Sequence, residues 1–517
     1  LLSMQPSCIP EQTAGHYLNL SDSVEYLGDQ TCRSCHYENH KTFMHTGMGQ
    51  SFGLANPEKS SATFHSDSIL YDAHSNLYYH PKWNSDTLFV HEYRVLNGDT
   101  LHQRIEKVDY IIGSGQHTNS HISSTNGYLH QMPFTYYTQD ERLDLPPGFE
   151  NGFNTRFNRK IGLECMSCHN SFPEFVKGSE NKFEAVPLGI SCERCHGPGE
   201  IHVAEKMNGV FVDTAIAIDY TIVNPAKLSA ELQFDLCSRC HLQGNTVLEE
   251  GKSFYDFKPG MELEEVMNVF LPAYKGDDRF IMASHVDRLK KSECFIQSDG
   301  ALTCINCHNP HLSVKETPTA VFNAKCVSCH AQVKEHQQLV GEDCVSCHMP
   351  KSGSSDIPHV SVTDHKIAIP QEINLVQNQE LKEFIGLYCV NNSKPSALNL
   401  LRAYLQQYER FEQKSYYLDS ALVYLFKLDE KQCVNEWIQY YFFKGDSKSL
   451  INWFEKESFE FRISQLSAIS YSNNDAWAWY RIGETYYKNA QYILSAKCLE
   501  RASVLAPYHL NIQNKYA

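Results

Sequence analysis

The sequence predicts an α+β fold: a region with few regular elements, a β-rich insertion within it, and an all-α segment at the C-terminal end. Three observations predict this. The motif Cys-x-x-Cys-His occurs seven times, apolar and polar residues alternate between Phe64 and Thr138, and apolar residues recur at helical spacing after Pro370. These features divide the 517 residues into a segment with the first motif (1–63), a β-rich region (64–160), a region with the other six motifs (161–370) and a helical region (371–517). A hydrophobic content of 42% with 12% aromatics is ordinary for a globular protein that buries its cores.

The β-rich region is read from "SILYD", "NLYYH", "TLFVHEYRVL", "TLHQRIEKVDYII" and "PFTYYT", which are rich in Tyr, Phe, Val and Ile and separated by Asn, Asp and Gly. The Pro/Gly stretch "LDLPPGFENGF", Leu143 to Phe153, ends it. In the C-terminal region "SALNLLRAYLQQYERF" and "YYLDSALVYLFKLD" place apolar residues at i, i+3, i+4 and i+7. "AWAWYRIGETYYKNAQYILSAKCLERASVLAP" matches a tetratricopeptide pattern, with Trp479, Ile482, Gly483, Tyr486, Leu499, Ala502 and Pro507 in its marker positions and Ser495 where alanine is usual. A short helical solenoid is expected there, with a plain helical bundle as the alternative.

Nineteen cysteines would suggest disulfides in an exported chain, but fourteen of them fall in the seven motifs. These are Cys32-Cys35-His36, Cys165-Cys168-His169, Cys192-Cys195-His196, Cys237-Cys240-His241, Cys304-Cys307-His308, Cys326-Cys329-His330 and Cys344-Cys347-His348. Zinc and thioredoxin-like readings compete for a lone Cys-x-x-Cys. A histidine directly after the second cysteine, seven times over, selects c-type haem attachment: two thioethers and one axial ligand per haem, hence seven covalently attached haems. Cys8, Cys294, Cys389, Cys433 and Cys498 belong to no motif and read as buried thiols, with room for one disulfide in an oxidising compartment.

Each haem iron has a second axial position, and eighteen histidines remain outside the motifs. A second imidazole gives a six-coordinate iron suited to electron transfer, whereas an open face can bind substrate. His202 in "CHGPGEIHV" and His311 in "CHNPH" follow Gly/Pro turns that carry a histidine away from its own motif. His117 sits in the glycine-rich "IIGSGQHTNSH", His285 opens a helical turn in "MASHVDRLKKSECF", and His359 and His365 follow the last motif in "PHVSVTDHK". Met48, in "HTGMGQS" behind His36, is the one thioether candidate and would raise the first haem's potential. His65 and His121 stand in reserve. His16, His40, His45, His74, His80, His91, His102, His130, His336 and His509 read as structural or solvated.

Together, "TCRSCH", "GISCERCHGPGEIHV", "LTCINCHNPH" and "CVSCHMPKSG" with "HVSVTDHKI" resemble the multihaem cytochromes c of the superfamily that includes hydroxylamine oxidoreductase, pentahaem nitrite reductase and tetrahaem cytochromes. The resemblance covers about Tyr26 to Pro370. It implies closely stacked haems and export, and it makes His202 and His311 distal ligands. Two departures stand out: nitrite reductases of the group often carry lysine at the catalytic haem, where all seven motifs here have histidine, and related first haems commonly have histidine where this chain has Met48.

A formal charge of −16 argues against a nucleic-acid partner. No run of eighteen apolar residues is present, so no transmembrane helix is expected. The start at Leu1 fits a processed, exported chain, periplasmic or on the cell surface, and Cys8 in "LLSMQPSC" is a candidate lipoprotein cysteine with Gln5 where leucine is usual. The expected function is electron transfer among redox partner proteins rather than catalysis. One rival is a reductase or oxidase of a small nitrogen or sulfur compound at an open haem, with His117, His121 and Tyr128 shuttling protons. The other is a haem-bearing subunit of a filament or homo-oligomer assembled through the helical repeats.

Overall fold

The computed structural model describes residues 17–275, 281–330, 343–369 and 383–517. Cys8, His16 and His336 lie outside them. It combines helix and sheet, 37% and 19% of the residues.

Strands Leu70–Asp72, Leu77–Asn84, Thr87–Leu96 and Asp99–Lys107 form an antiparallel meander. A second antiparallel sheet takes Phe52–Leu54, Tyr110–Ile112, Thr118–Thr125, Tyr128–Tyr137 and Arg159–Lys160 in that order, with Arg142–Asp144 beside Tyr128–Tyr137. Hairpins are closed by Asn97-Gly98 and Asn126-Gly127, all four residues at positive φ, as two-residue turns between twisted strands require. Leu77, Tyr79, Leu88 and Val90 of the meander pack on Met132 and Phe134 of the second sheet. Thr118–Thr125 was not among the expected strands. Its sequence, TNSHISST, has no apolar alternation, and partners on both sides fix it instead.

Every motif lies on a helical turn: Asp29–Cys35, Leu163–His169, Glu193–His196, Ala230–His241, Cys304–Cys307, Thr319–Cys329 and Cys344–His348. Cysteines three apart on a helix project to one side, as two thioether bonds to one ring require. The C-terminal region was expected to be all-α, but Phe384–Cys389 is a strand that pairs with Met267–Tyr274, which in turn pairs with Asn245–Leu248. The helical region is therefore stitched to the motif region by a shared sheet.

Beyond that strand, helices from Ala397–Arg410 to Leu510–Tyr516 surround a core containing Trp437, Leu450, Trp453, Phe454 and Trp479. Gly483 lets Asn474–Lys488 lie tight on Tyr492–Leu505: a Cβ there would meet the Leu499 side chain at 2.8 Å. The helices dock on the motif region through Tyr508 N–H to the Gly178 carbonyl (3.0 Å) and Asn473 Nδ2 to the Ser179 carbonyl (2.7 Å). At the same seam Glu180 is paired with Lys160 and with His509 Nε2 at 3.1 Å.

Burial alone would raise the Glu180 carboxyl, but His509 and Lys160 more than offset this and hold it down at about 2. A depressed carboxyl stabilises the docked form fully above its unfolded pKa of about 4.3, and that stabilisation is lost as pH falls toward 2. Trp477 stands edge-on to His509 at 4.9 Å and reports on the seam. Its fluorescence should change between about pH 4.3 and 2 in the parent protein. Glu180→Gln should remove that pH dependence and show the weakened seam already at neutral pH.

Candidate functional site: paired histidines and joined motifs

Four motif histidines each face a histidine from a distant segment. His36 lies 6.3 Å from His202 between ring centres, His196 is 5.9 Å from His311, His241 is 5.6 Å from His285, and His308 is 6.2 Å from His365. Two imidazoles bound to one metal at about 2.0 Å per nitrogen have ring centres about 6 Å apart. The four separations fit a single ion between each pair.

Local structure aims these rings. After the third motif Gly197, at φ +74°, turns the chain; Asn19 Nδ2 binds the carbonyls of His196 (2.9 Å) and Pro198 (3.1 Å) and leaves no room for a Cβ. Helix Glu200–Met207 then delivers His202. His285 opens helix His285–Lys290, from which Arg288 grips Asp364 through Nε (2.9 Å) and Nη2 (2.6 Å). This two-pronged pair draws His285 and His365 together, their rings 4.8 Å apart.

Four histidines have Nδ1 occupied elsewhere: His196 by the Val223 carbonyl (2.8 Å), His365 by the Thr363 carbonyl (3.0 Å), His202 by Thr221 Oγ1 (3.1 Å) and, outside the pairs, His348 by the Ala368 carbonyl (2.9 Å). Such second partners fix the tautomer and leave Nε2 as the ligating atom. Desolvation pushes His285 down to about 2 and His365 to about 4, and it lowers His169, His196, His202, His308 and His311. All are held neutral, the form that binds metal.

The attachment segments also touch one another. Cys32 meets Cys192, Cys168 meets Cys240, Cys237 meets Cys304, and Cys326 meets Cys344. The first and third motifs are clasped reciprocally. Asp29 accepts the Cys192 N–H at 2.9 Å, and Glu193 accepts those of Leu27 (2.9 Å) and Gly28 (2.8 Å). None of the described cysteines is in a disulfide, so the motif thiols are available for thioethers. Paired neutral imidazoles beside free thiols fit the haem that each motif implies.

Residues 150–197, which hold the second and third motifs, match the family described as cytochrome c554 and c-prime. The multihaem cytochrome MtrA of Shewanella baltica is 25% identical over 252 residues, covering 46% of this chain and 67% of that one. Over these stretches the chain is similar to multihaem cytochromes c. Among solved structures, the outer cell wall cytochrome OcwA aligns over 93% of this chain and 99% of its own, at 13% identity and a TM-score of 0.39.

Several expected ligands fall elsewhere in the fold. Met48 was expected to serve the first haem, but the ring brought to His36 is that of His202. The Met48 carbonyl accepts the N–H groups of Ser51 (3.1 Å) and Ile190 (3.2 Å), which fastens its turn to the approach of the third motif. His359 was expected as a ligand too, yet its Nδ1 lies 3.3 Å from Asp140 and its Nε2 3.1 Å from Asp144, so carboxylates hold both nitrogens. His117 precedes strand Thr118–Thr125, and no ring contact joins it to a motif histidine among the described residues.

The proposed proton-shuttling trio does not assemble. Tyr128 pairs with Thr125 at the far end of the hairpin from Thr118, about 24 Å away at about 3.4 Å per residue. Its hydroxyl binds the Tyr508 carbonyl (3.0 Å), while His121 is fully buried on Phe134 and pushed down by desolvation to about 3. Of the reserves, His65 offers its carbonyl to His80 Nε2 at 3.3 Å.

Sequence reading missed Arg194 and Arg239. Both occupy the position before the second cysteine of their motifs, and both are buried, at 3% and 6% exposure. That position carries no pattern of its own, and only the fold shows that the two meet.

Proposed function

We propose that this cytochrome is an exported electron carrier holding seven haems and working between redox partner proteins. The observation that carries the reading is the pairing of His36, His196, His241 and His308 with His202, His311, His285 and His365. Haem c, once bound, supplies a one-electron iron couple. The chain's own part would be to hold an imidazole on either side of each of these four sites, to fix His196, His202 and His365 through Nδ1, and to keep the attachment segments in contact. The cysteine contacts and their electrostatic neighbours favour the order first, third, fourth, fifth, sixth and seventh motif, with the second beside the fourth. In this reading residues 397–516 form a repeat-like helical platform for a partner. No described helix is long and apolar enough to cross a membrane.

The test is haem content and coordination. Pyridine haemochrome assay with intact-mass measurement should give seven haems per chain, and the oxidised protein should be predominantly low-spin. Fewer haems, or predominantly high-spin iron, would contradict the reading.

One observation favours a second reading, reduction of a small nitrogen compound or a sulfur oxyanion at an open haem. Among the described residues no second imidazole ring contacts His169, whose Nδ1 is buried without a partner. Nearby, Lys59 donates to the carbonyls of Gln50 (2.8 Å) and Gly113 (2.6 Å), and burial pushes its amine down to about 8. Oxidation of a reduced dye by nitrite, hydroxylamine or sulfite decides it: turnover favours this reading, and none across the set removes it.

A further inference from the structure

Two buried guanidinium groups meet where three attachment segments join. Arg194 of the third motif donates through Nη2 to the Ser167 carbonyl of the second motif at 2.7 Å. Arg239 of the fourth motif donates to the same carbonyl at 3.4 Å and to that of Phe254 at 3.5 Å. Ser167, Arg194 and Arg239 occupy the same position in their three motifs, directly before the second cysteine. The two cations share one ring, with Cζ of Arg194 4.5 Å and of Arg239 5.8 Å from the centre of Tyr255; Arg194 also lies 5.0 Å from the centre of Phe172. The second and fourth motifs touch again through Cys168 Sγ and the Arg239 carbonyl (3.7 Å) and through Cys240 Sγ and the Ser167 carbonyl (3.9 Å).

The Nε atom of each arginine is buried without a hydrogen-bond partner, and the bonds their guanidinium groups do make go to backbone carbonyls. The nearest carboxylate in sequence, Glu193, is committed to the N–H groups of Leu27, Gly28 and Gly199. Buried charges are costly and are ordinarily paired. Two side by side without an acid, in a chain of net charge −16, make a local positive field at the junction they also help to pack.

We infer that Arg194 and Arg239 are positioning residues for electron transfer: they form a cationic hub that raises the potentials of the haems on the second, third and fourth motifs above those of the others. The inference rests on the seven-haem reading. Reduction of an iron adds a negative charge, so a fixed cation in a low-dielectric setting favours the reduced form, and its effect fades with distance. The junction then holds electrons in preference to either end of the row.

Spectropotentiometric titration of the haem-loaded protein, read together with EPR, tests this. Arg194→Gln and Arg239→Gln, each alone, should move three of the seven waves to lower potential and leave four in place. Arg194→Lys keeps the charge but loses the planar stacking on Tyr255 and Phe172, and it should leave the waves where they are. Read beside the glutamine variants, it separates the charge from the packing of the side chain. Seven bound haems with unmoved waves in the glutamine variants, or a lysine variant whose waves fall, would overturn the hub. A parent protein with fewer than seven haems would instead overturn the reading beneath it.

Discussion

His202→Ala should convert one low-spin iron of the oxidised, haem-loaded protein into a high-spin iron that binds carbon monoxide when reduced, while Met48→Ala leaves the spectrum unchanged. The expectation follows from the 6.3 Å between the ring centres of His36 and His202 and their interplanar angle of 22°. An alanine side chain cannot reach the metal, and the ring is held from behind by Thr221 and Asp219, neither of which can take its place. The measurement is the low-temperature EPR spectrum with a carbon monoxide difference spectrum. A high-spin signal in Met48→Ala and none in His202→Ala would return the first haem to a methionine ligand.

The largest stability effect is expected at Trp479. Its side chain is fully buried, its Nε1 donates to the Leu466 carbonyl at 2.8 Å, and its ring lies 5.7 Å from Phe454 and 5.2 Å from Phe459. Trp479→Ala empties the centre of the helical region and strands that carbonyl, and removal of a buried tryptophan costs about 3–5 kcal/mol. Chemical denaturation should show the helical region unfolding at much lower denaturant while the haem absorption is retained. A parent-like midpoint would mean that the ring is not the keystone of that core.

The motifs were legible because haem attachment is a local pattern, and their helical turns follow from the same spacing. The turn chemistry around His202 and His311 was legible for the same reason, since glycine and proline announce where a chain leaves its own motif. Which motif each histidine reaches was not, because His36 and His202 stand 166 positions apart and nothing local records the meeting. Met48 was chosen by proximity, twelve residues behind His36, whereas the ring that the fold brings to His36 comes from a distant segment. His359 was misread because the carboxylates that occupy it, Asp140 and Asp144, come from the β-rich region. Strand Thr118–Thr125 is polar apart from Ile122 and depends on its neighbours, and strand Phe384–Cys389 lies in a region whose helical periodicity begins only beyond it. The arginine hub was invisible for a further reason: the intervening positions of Cys-x-x-Cys-His tolerate any residue, so two arginines there signify nothing until three segments converge.

The most direct test of the central claim is near-infrared magnetic circular dichroism of the oxidised, haem-loaded protein, which separates histidine–histidine from histidine–methionine coordination. Histidine–histidine iron at four or more sites per chain, with no histidine–methionine band, is the predicted result. A histidine–methionine band, or fewer than four histidine–histidine irons, would contradict it.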